Sequence, residues 1–143
     1  MYEDLVRSRR IRQERVSVEE TFASFRHAEK DLETATGLLG KDDDWALAIV
    51  HNGALQAGRA LMYSQGYRPS SVEGHKTVFE FATQTLPTES QELIAYLDRI
   101  RRKRNVAIYD VAGCVGRAEA QGAIDASRRL VAIVQAWLPI SDC

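Results

Sequence analysis

The stretch Asp98-Arg99-Ile100-Arg101-Arg102-Lys103-Arg104-Asn105-Val106-Ala107-Ile108-Tyr109-Asp110 holds the densest set of groups able to do chemistry. Read as a helix, it places Arg104 about 20° from Leu97 and about 40° from Ile100 and Ile108, inside the apolar stripe. A guanidinium cannot shed its proton, and burying it alone is costly. Arg104 therefore needs a carboxylate, a subunit interface or a cleft that receives an anion. Arg101, Asn105 and Tyr109 follow at i, i+4 and i+8 along one edge of the same helix and line a polar groove with Arg104. Such a groove offers phosphate binding by Arg101, Arg102, Arg104 and Asn105, with Asn52 as a further polar group from another helix. Tyr109 adds a phenol, whose ordinary pKa of about 10 makes it a poor base at neutral pH unless adjacent arginines depress it. The alternatives are an ion pair of Arg104 with Asp98 and an Asn105–Tyr109 hydrogen bond that closes a helix–helix contact.

The elements that must hold these groups read as all helix, because few prolines interrupt the chain and no Asn-Gly or Asp-Gly hairpin turn separates alternating apolar residues. Val18, Phe22, Phe25, Ala28, Leu32, Ala35 and Leu39 form one helical stripe, ended by Gly40. One of Asp42, Asp43 or Asp44 caps a second helix, whose stripe includes Trp45, Ala48, Ile49, Leu55 and Met62. Gly66, Pro69, Ser70 and Ser71 mark a loop, and a short helix starts near Gly74 or His75 and stops before Pro87. Thr88 with Gln91 has the spacing of a capping box for the helix through Leu93, Leu97, Ile100, Ala107, Ile108 and Val111. A last helix runs through Ala120, Ile124, Ser127, Leu130, Val131, Val134 and Trp137 to Pro139. The expected architecture is an all-α, antiparallel bundle of four to five helices over residues 17–139, with a basic arm at 1–16 and a tail at 140–143. The arm has a thin apolar stripe of Leu5, Val6, Ile11 and Val16, which suits a helix that packs on something outside the bundle.

Composition narrows the function classes. With 143 residues, 45% of them apolar, and 19 Lys+Arg against 20 Asp+Glu, the chain is an ordinary single domain with a net charge of −1. Ten of the 19 basic residues nonetheless fall in two clusters, Arg7, Arg9, Arg10, Arg12 and Arg15, and Arg99, Arg101, Arg102, Lys103 and Arg104. No run approaches the ~18 apolar residues of a membrane span, so a cytoplasmic protein without membrane contact is expected. Cys114 and Cys143 make no Cys-x-x-Cys pair, and His27, His51 and His75 sit on three elements without ligand spacing, so no metal and no cofactor are expected.

On these residues the chain resembles the HEPN superfamily (higher eukaryotes and prokaryotes nucleotide-binding), whose penultimate long helix carries an Arg, usually a polar residue next, and a His four to six residues after the Arg. Arg104-Asn105 matches, with Tyr109 at the histidine position. Trp45-Ala46, Asn52 and Ala60-Leu61 to Gly66-Tyr67-Arg68 look like the second helix of that family, and Gly74-His75 like the start of its short helix in prokaryotic members. The resemblance covers residues 18 to 138. It implies a nucleotide- or RNA-binding homodimer, often paired with a nucleotidyltransferase in toxin-antitoxin systems. For RNA-cleaving members it implies a metal-independent endoribonuclease, here with Arg104 as the cation and Tyr109, or a distant His75, moving the proton. A non-catalytic helical interaction protein is the remaining alternative.

Overall fold

The computed structural model describes residues 1–70, 74–107 and 112–139. Its elements in order are α1 (Glu3–Arg7), β1 (Ile11–Gln13), α2 (Val18–Leu38), α3 (Asp43–Ser64), β2 (Tyr67–Pro69), α4 (Gly74–Thr85), a 3-10 turn (Thr88–Ser90), α5 (Gln91–Asn105) and α6 (Arg117–Gln135). The helical bundle expected from the sequence is present, and α3 is its centre, packing against α2, α4, α5 and α6. No described helix is long and apolar enough to cross a membrane.

Local chemistry sets the helix ends. Ser17 caps α2 by accepting the Glu20 N–H at 3.1 Å. The three aspartates after Gly40 each bind backbone. Asp42 caps α3 by accepting from Trp45 N–H at 3.0 Å, and Asp43 accepts from Gly40 N–H at 2.8 Å. Asp44 accepts from Gly113 N–H and, at 3.2 Å, from Val115 N–H, tying the segment after α5 to the start of α3. The capping box at Thr88 does not form. Residues 88–90 make a 3-10 turn, and Gln91 instead donates from Nε2 to the Thr83 carbonyl at 2.8 Å, joining α5 to α4.

A helix that touches four neighbours cannot be amphipathic in the usual sense, and α3 buries Leu47, Val50, His51, Ala54, Leu55, Ala57 and Leu61 around its circumference. Trp45, placed in its apolar stripe from sequence, is 54% exposed at its first turn. Gly58 lets α4 approach, since a Cβ there would overlap Val78 Cγ1.

The arm departs most from expectation. Residues 1–16 pack on the bundle itself: Leu5 and Ile11 are buried in its core, and β1 pairs antiparallel with β2 in the register Ile11↔Pro69, Arg12↔Arg68, Gln13↔Tyr67. Strand β2 lies where the sequence reads as a loop. Three-residue strands carry too little pattern to be read locally, and this pair is closed by long-range contacts. The Tyr2 ring stacks on Phe81 with centroids 4.2 Å apart, and its hydroxyl meets Thr85 Oγ1 at 2.6 Å. Arg10 donates to Glu80 Oε2 at 2.6 Å and to Thr77 Oγ1 at 2.9 Å, while Arg68 holds Glu20 through two bonds and also meets Glu14. Of the first basic cluster, Arg10 thereby clasps the arm to the bundle, and Arg68 does the same from the bundle side through Glu14.

Candidate functional site

The second basic cluster divides between two faces of α5. On one side Arg99 stacks over the Tyr96 ring at 5.9 Å and lines a groove with Arg129 and Asp125 of α6, and Lys103 pairs with Glu119 at 3.7 Å. On the other side Arg101 and Arg104 turn toward α3 and α4. The charges of both reach His51 on α3 and His75 on α4. Arg104 is half-buried and donates from Nη1 to Asn105 Oδ1 at 3.1 Å. Arg101 Nε donates to Asp98 Oδ1 at 3.1 Å, so Asp98, a candidate partner for Arg104 in the sequence, is engaged by Arg101.

Past Asn105 the regular α-helical turn loosens, with Val106 and Ala107 in a wider π turn. The sequence predicts a straight helix through Val111. Tyr109 lies outside the described residues, as do Ile108, Asp110 and Val111.

Facing α5, the first turn of α4 brings Gly74, His75 and Lys76, which with Arg101 and Asn105 line a pocket of about 280 Å³. Among the described residues, no carboxylate lines it. Beneath it, His51 Nε2 meets His75 Nδ1 at 3.3 Å. Burial, then the neighbouring His75, then Arg104 and Arg101 hold the His51 pKa down to about 3, so the ring is neutral. His75 is shifted the same way, first by burial and then by Arg59, Arg104 and Arg101. The pocket thus combines fixed cations with neutral imidazoles, a setting that attracts anions.

Of the residues singled out in the sequence, Arg101, Arg104 and Asn105 come together. Arg102 is exposed on α5, and Asn52 is elsewhere: its Nδ2 donates to Asp31 Oδ2 at 2.8 Å, fastening α3 to α2. That bond corrects the assignment of Asn52 to the anion groove, because the same position that put it beside His51 in sequence turns it to the α2 side of the helix. His27 stands near Asp31 at 3.7 Å. Among the described residues, no cluster of three or more His, Cys, Asp or Glu side chains could hold a metal. Sequence reasoning missed Lys76, whose only signal is its place in the turn opened by Gly74-His75, and missed that His51 and His75, 24 positions apart, touch.

With that geometry in place, the chain can be compared with known proteins. A solved structure, the crystal structure of TT1696 from Thermus thermophilus, superposes with a TM-score of 0.67 at 23% sequence identity, covering 82% of this chain and 98% of that one, a likeness of fold. No curated protein sequence matches. The family model described as HEPN domain matches residues 23–137, from the first turns of α2 through the end of α6 and including the Arg104-Asn105 pair, and the chain belongs to the HEPN domain family.

Proposed function

We propose that this HEPN protein is a nucleotide- or RNA-binding module that works as a homodimer, with Arg101, Arg104 and Asn105 supplying the anion contacts and His75 and Lys76 joining them from α4. The observation that supports it is the pocket, without a carboxylate among its described lining, into which α4 and α5 direct their basic residues. Fixed cations beside neutral imidazoles bind phosphate whether or not a base is present, through charge-assisted hydrogen bonds of about 1.5–3 kcal/mol each. A nucleotidyltransferase partner of the toxin-antitoxin kind is the setting this module would suit.

Calorimetry with mononucleotides and short RNA at low salt tests the proposal. Binding should weaken as salt rises, and replacing Arg101 and Arg104 together by Ala should remove most of it. No heat from folded protein with either ligand would refute it.

A metal-independent endoribonuclease is the second function, favoured by one observation: His75 is kept neutral beside Arg101 and Arg104, where an imidazole can exchange a proton. RNA cleavage without metal, lost in Arg104→Ala and in either His75→Ala or Tyr109→Phe, is what that function requires.

A further inference from the structure

The contact between His51 and His75 carries information about where their protons sit. His51 is 2% exposed, and its Nδ1 is buried with no hydrogen-bond partner among the described residues. A neutral imidazole has one proton on one of its two nitrogens. A proton on Nδ1 would leave a buried N–H without an acceptor, the rarer omission in folded proteins. With the proton on Nε2, His51 donates to His75 Nδ1, and only a lone pair is left bare. His75 Nδ1 is then an acceptor, so its own proton is on Nε2, the nitrogen that does not face His51. The ring offers the pocket a donor N–H in place of a basic lone pair.

We propose that the pocket formed by Gly74, His75, Lys76, Arg101 and Asn105 is a subsite for a terminal phosphoryl group, a phosphomonoester dianion, and that His51 is the positioning residue that keeps His75 in its donating tautomer. The proposal rests on the nucleotide- or RNA-binding function above and specifies which phosphate is taken.

His75 Nε2–H, the Lys76 ammonium, the Arg101 guanidinium and the Asn105 amide all present donors. Among the described residues, two carboxylates pair with the pocket's cations from outside its lining: Asp98 with Arg101 Nε, and Glu80 with Lys76 at 4.0 Å and with Arg10 at 2.6 Å. Among the described residues, the charges that lower the His75 pKa are those of Arg59 on α3 and of Arg104 and Arg101 on α5, all positive. The first-turn amides of α4, which have no carbonyl four residues back within the helix, add to the same field. A pocket with several donors and no anionic acceptor among its described lining suits a group that has shed its protons. A phosphomonoester, with a second pKa of about 6, offers three terminal oxygens and close to two charges at neutral pH. An internal phosphodiester offers two oxygens and one charge.

The test uses the full chain and three probes: AMP, a short single-stranded RNA phosphorylated at both ends, and the same RNA with hydroxyl ends. The phosphorylated RNA should bind about tenfold tighter than the hydroxyl RNA, a preference lost in His75→Ala and reduced in Arg101→Ala. AMP competing with it would identify free nucleotide as a source of the group, and phosphorylated RNA binding where AMP does not would identify an RNA end; both support the subsite. Equal affinity for the two RNAs would overturn the subsite and leave nucleic-acid binding standing, whereas no binding by any probe would overturn both. Long-range proton–nitrogen NMR spectra of the unliganded wild type read the tautomers directly. A His75 proton on Nε2 is expected, and one on Nδ1 would overturn the role given to His51.

Discussion

Two histidines couple the site to stability. An unfolded imidazole titrates near 6.5, while folded His51 does so at about 3, chiefly because burial penalises its charged form. Between those values the unfolded chain binds a proton that the folded chain refuses. Stability is therefore full above about pH 6.5 and falls on acidification, with a slope approaching about 1.4 kcal/mol per pH unit for this one group. His75, lowered in the same direction, steepens the fall. The urea midpoint should drop between roughly pH 7.5 and 5, and drop less in His75→Ala; equal wild-type midpoints would contradict the buried neutral pair. The exposed acids Glu3, Glu14 and Glu20, also lowered, act only at more acidic pH. Arg101 and Arg104 were visible in sequence as cations in or beside an apolar stripe. That they act on His51 and His75 was not, because a helical wheel contains no neighbouring helices.

At the scale of elements, glycine distinguishes positions that sequence treats alike. Gly58 sits where α3 meets α4, and an added methyl would overlap Val78, which is fully buried and β-branched and so has no room or rotamer to yield. Gly58→Ala should cost about 1–3 kcal/mol, read as a lower urea midpoint. Gly37 lies in the last turn of α2 with open space around it, and Gly37→Ala should stabilise by up to about 1 kcal/mol. Equal effects from the two changes would refute the close approach of α3 and α4. The boundaries of α2, α4 and α6 were legible within a few residues from caps and breakers. The 3-10 turn before α5 and the wide turn after it were not, since Gln91 binds backbone of the preceding helix and Asp44 binds backbone 69 positions away.

For the whole molecule, dimer formation is the expectation to measure. HEPN domains commonly dimerise, and this chain leaves Trp45, Val106 and Trp137 at 54%, 40% and 38% exposure. Val106 follows Asn105 directly, so a two-fold contact over the end of α5 would place two copies of the basic pocket side by side. Sedimentation equilibrium at micromolar concentration should show twice the 16.0 kDa chain mass, and a single-chain mass alone would remove the paired cleft. The arm bears on this surface indirectly. With Leu5 and Ile11 in the core and Arg10 held by Glu80, the arm braces α4, while Arg7, Arg9, Arg12 and Arg15 stay exposed.

By itself the sequence determined the helical class, the order and approximate ends of the long helices, and the presence of a basic edge on the helix that carries Arg104. Periodicity and capping are local, and each is complete within a turn or two of chain. Tertiary structure decided the rest. It made α3 the buried centre, so Trp45 faces outward and Asn52 turns to Asp31. It paired β1 with β2, and it set His75 and Lys76 opposite Arg101. These outcomes depend on which faces of separate elements meet, and side-chain spacing along one helix says nothing about the angle at which the next one crosses it.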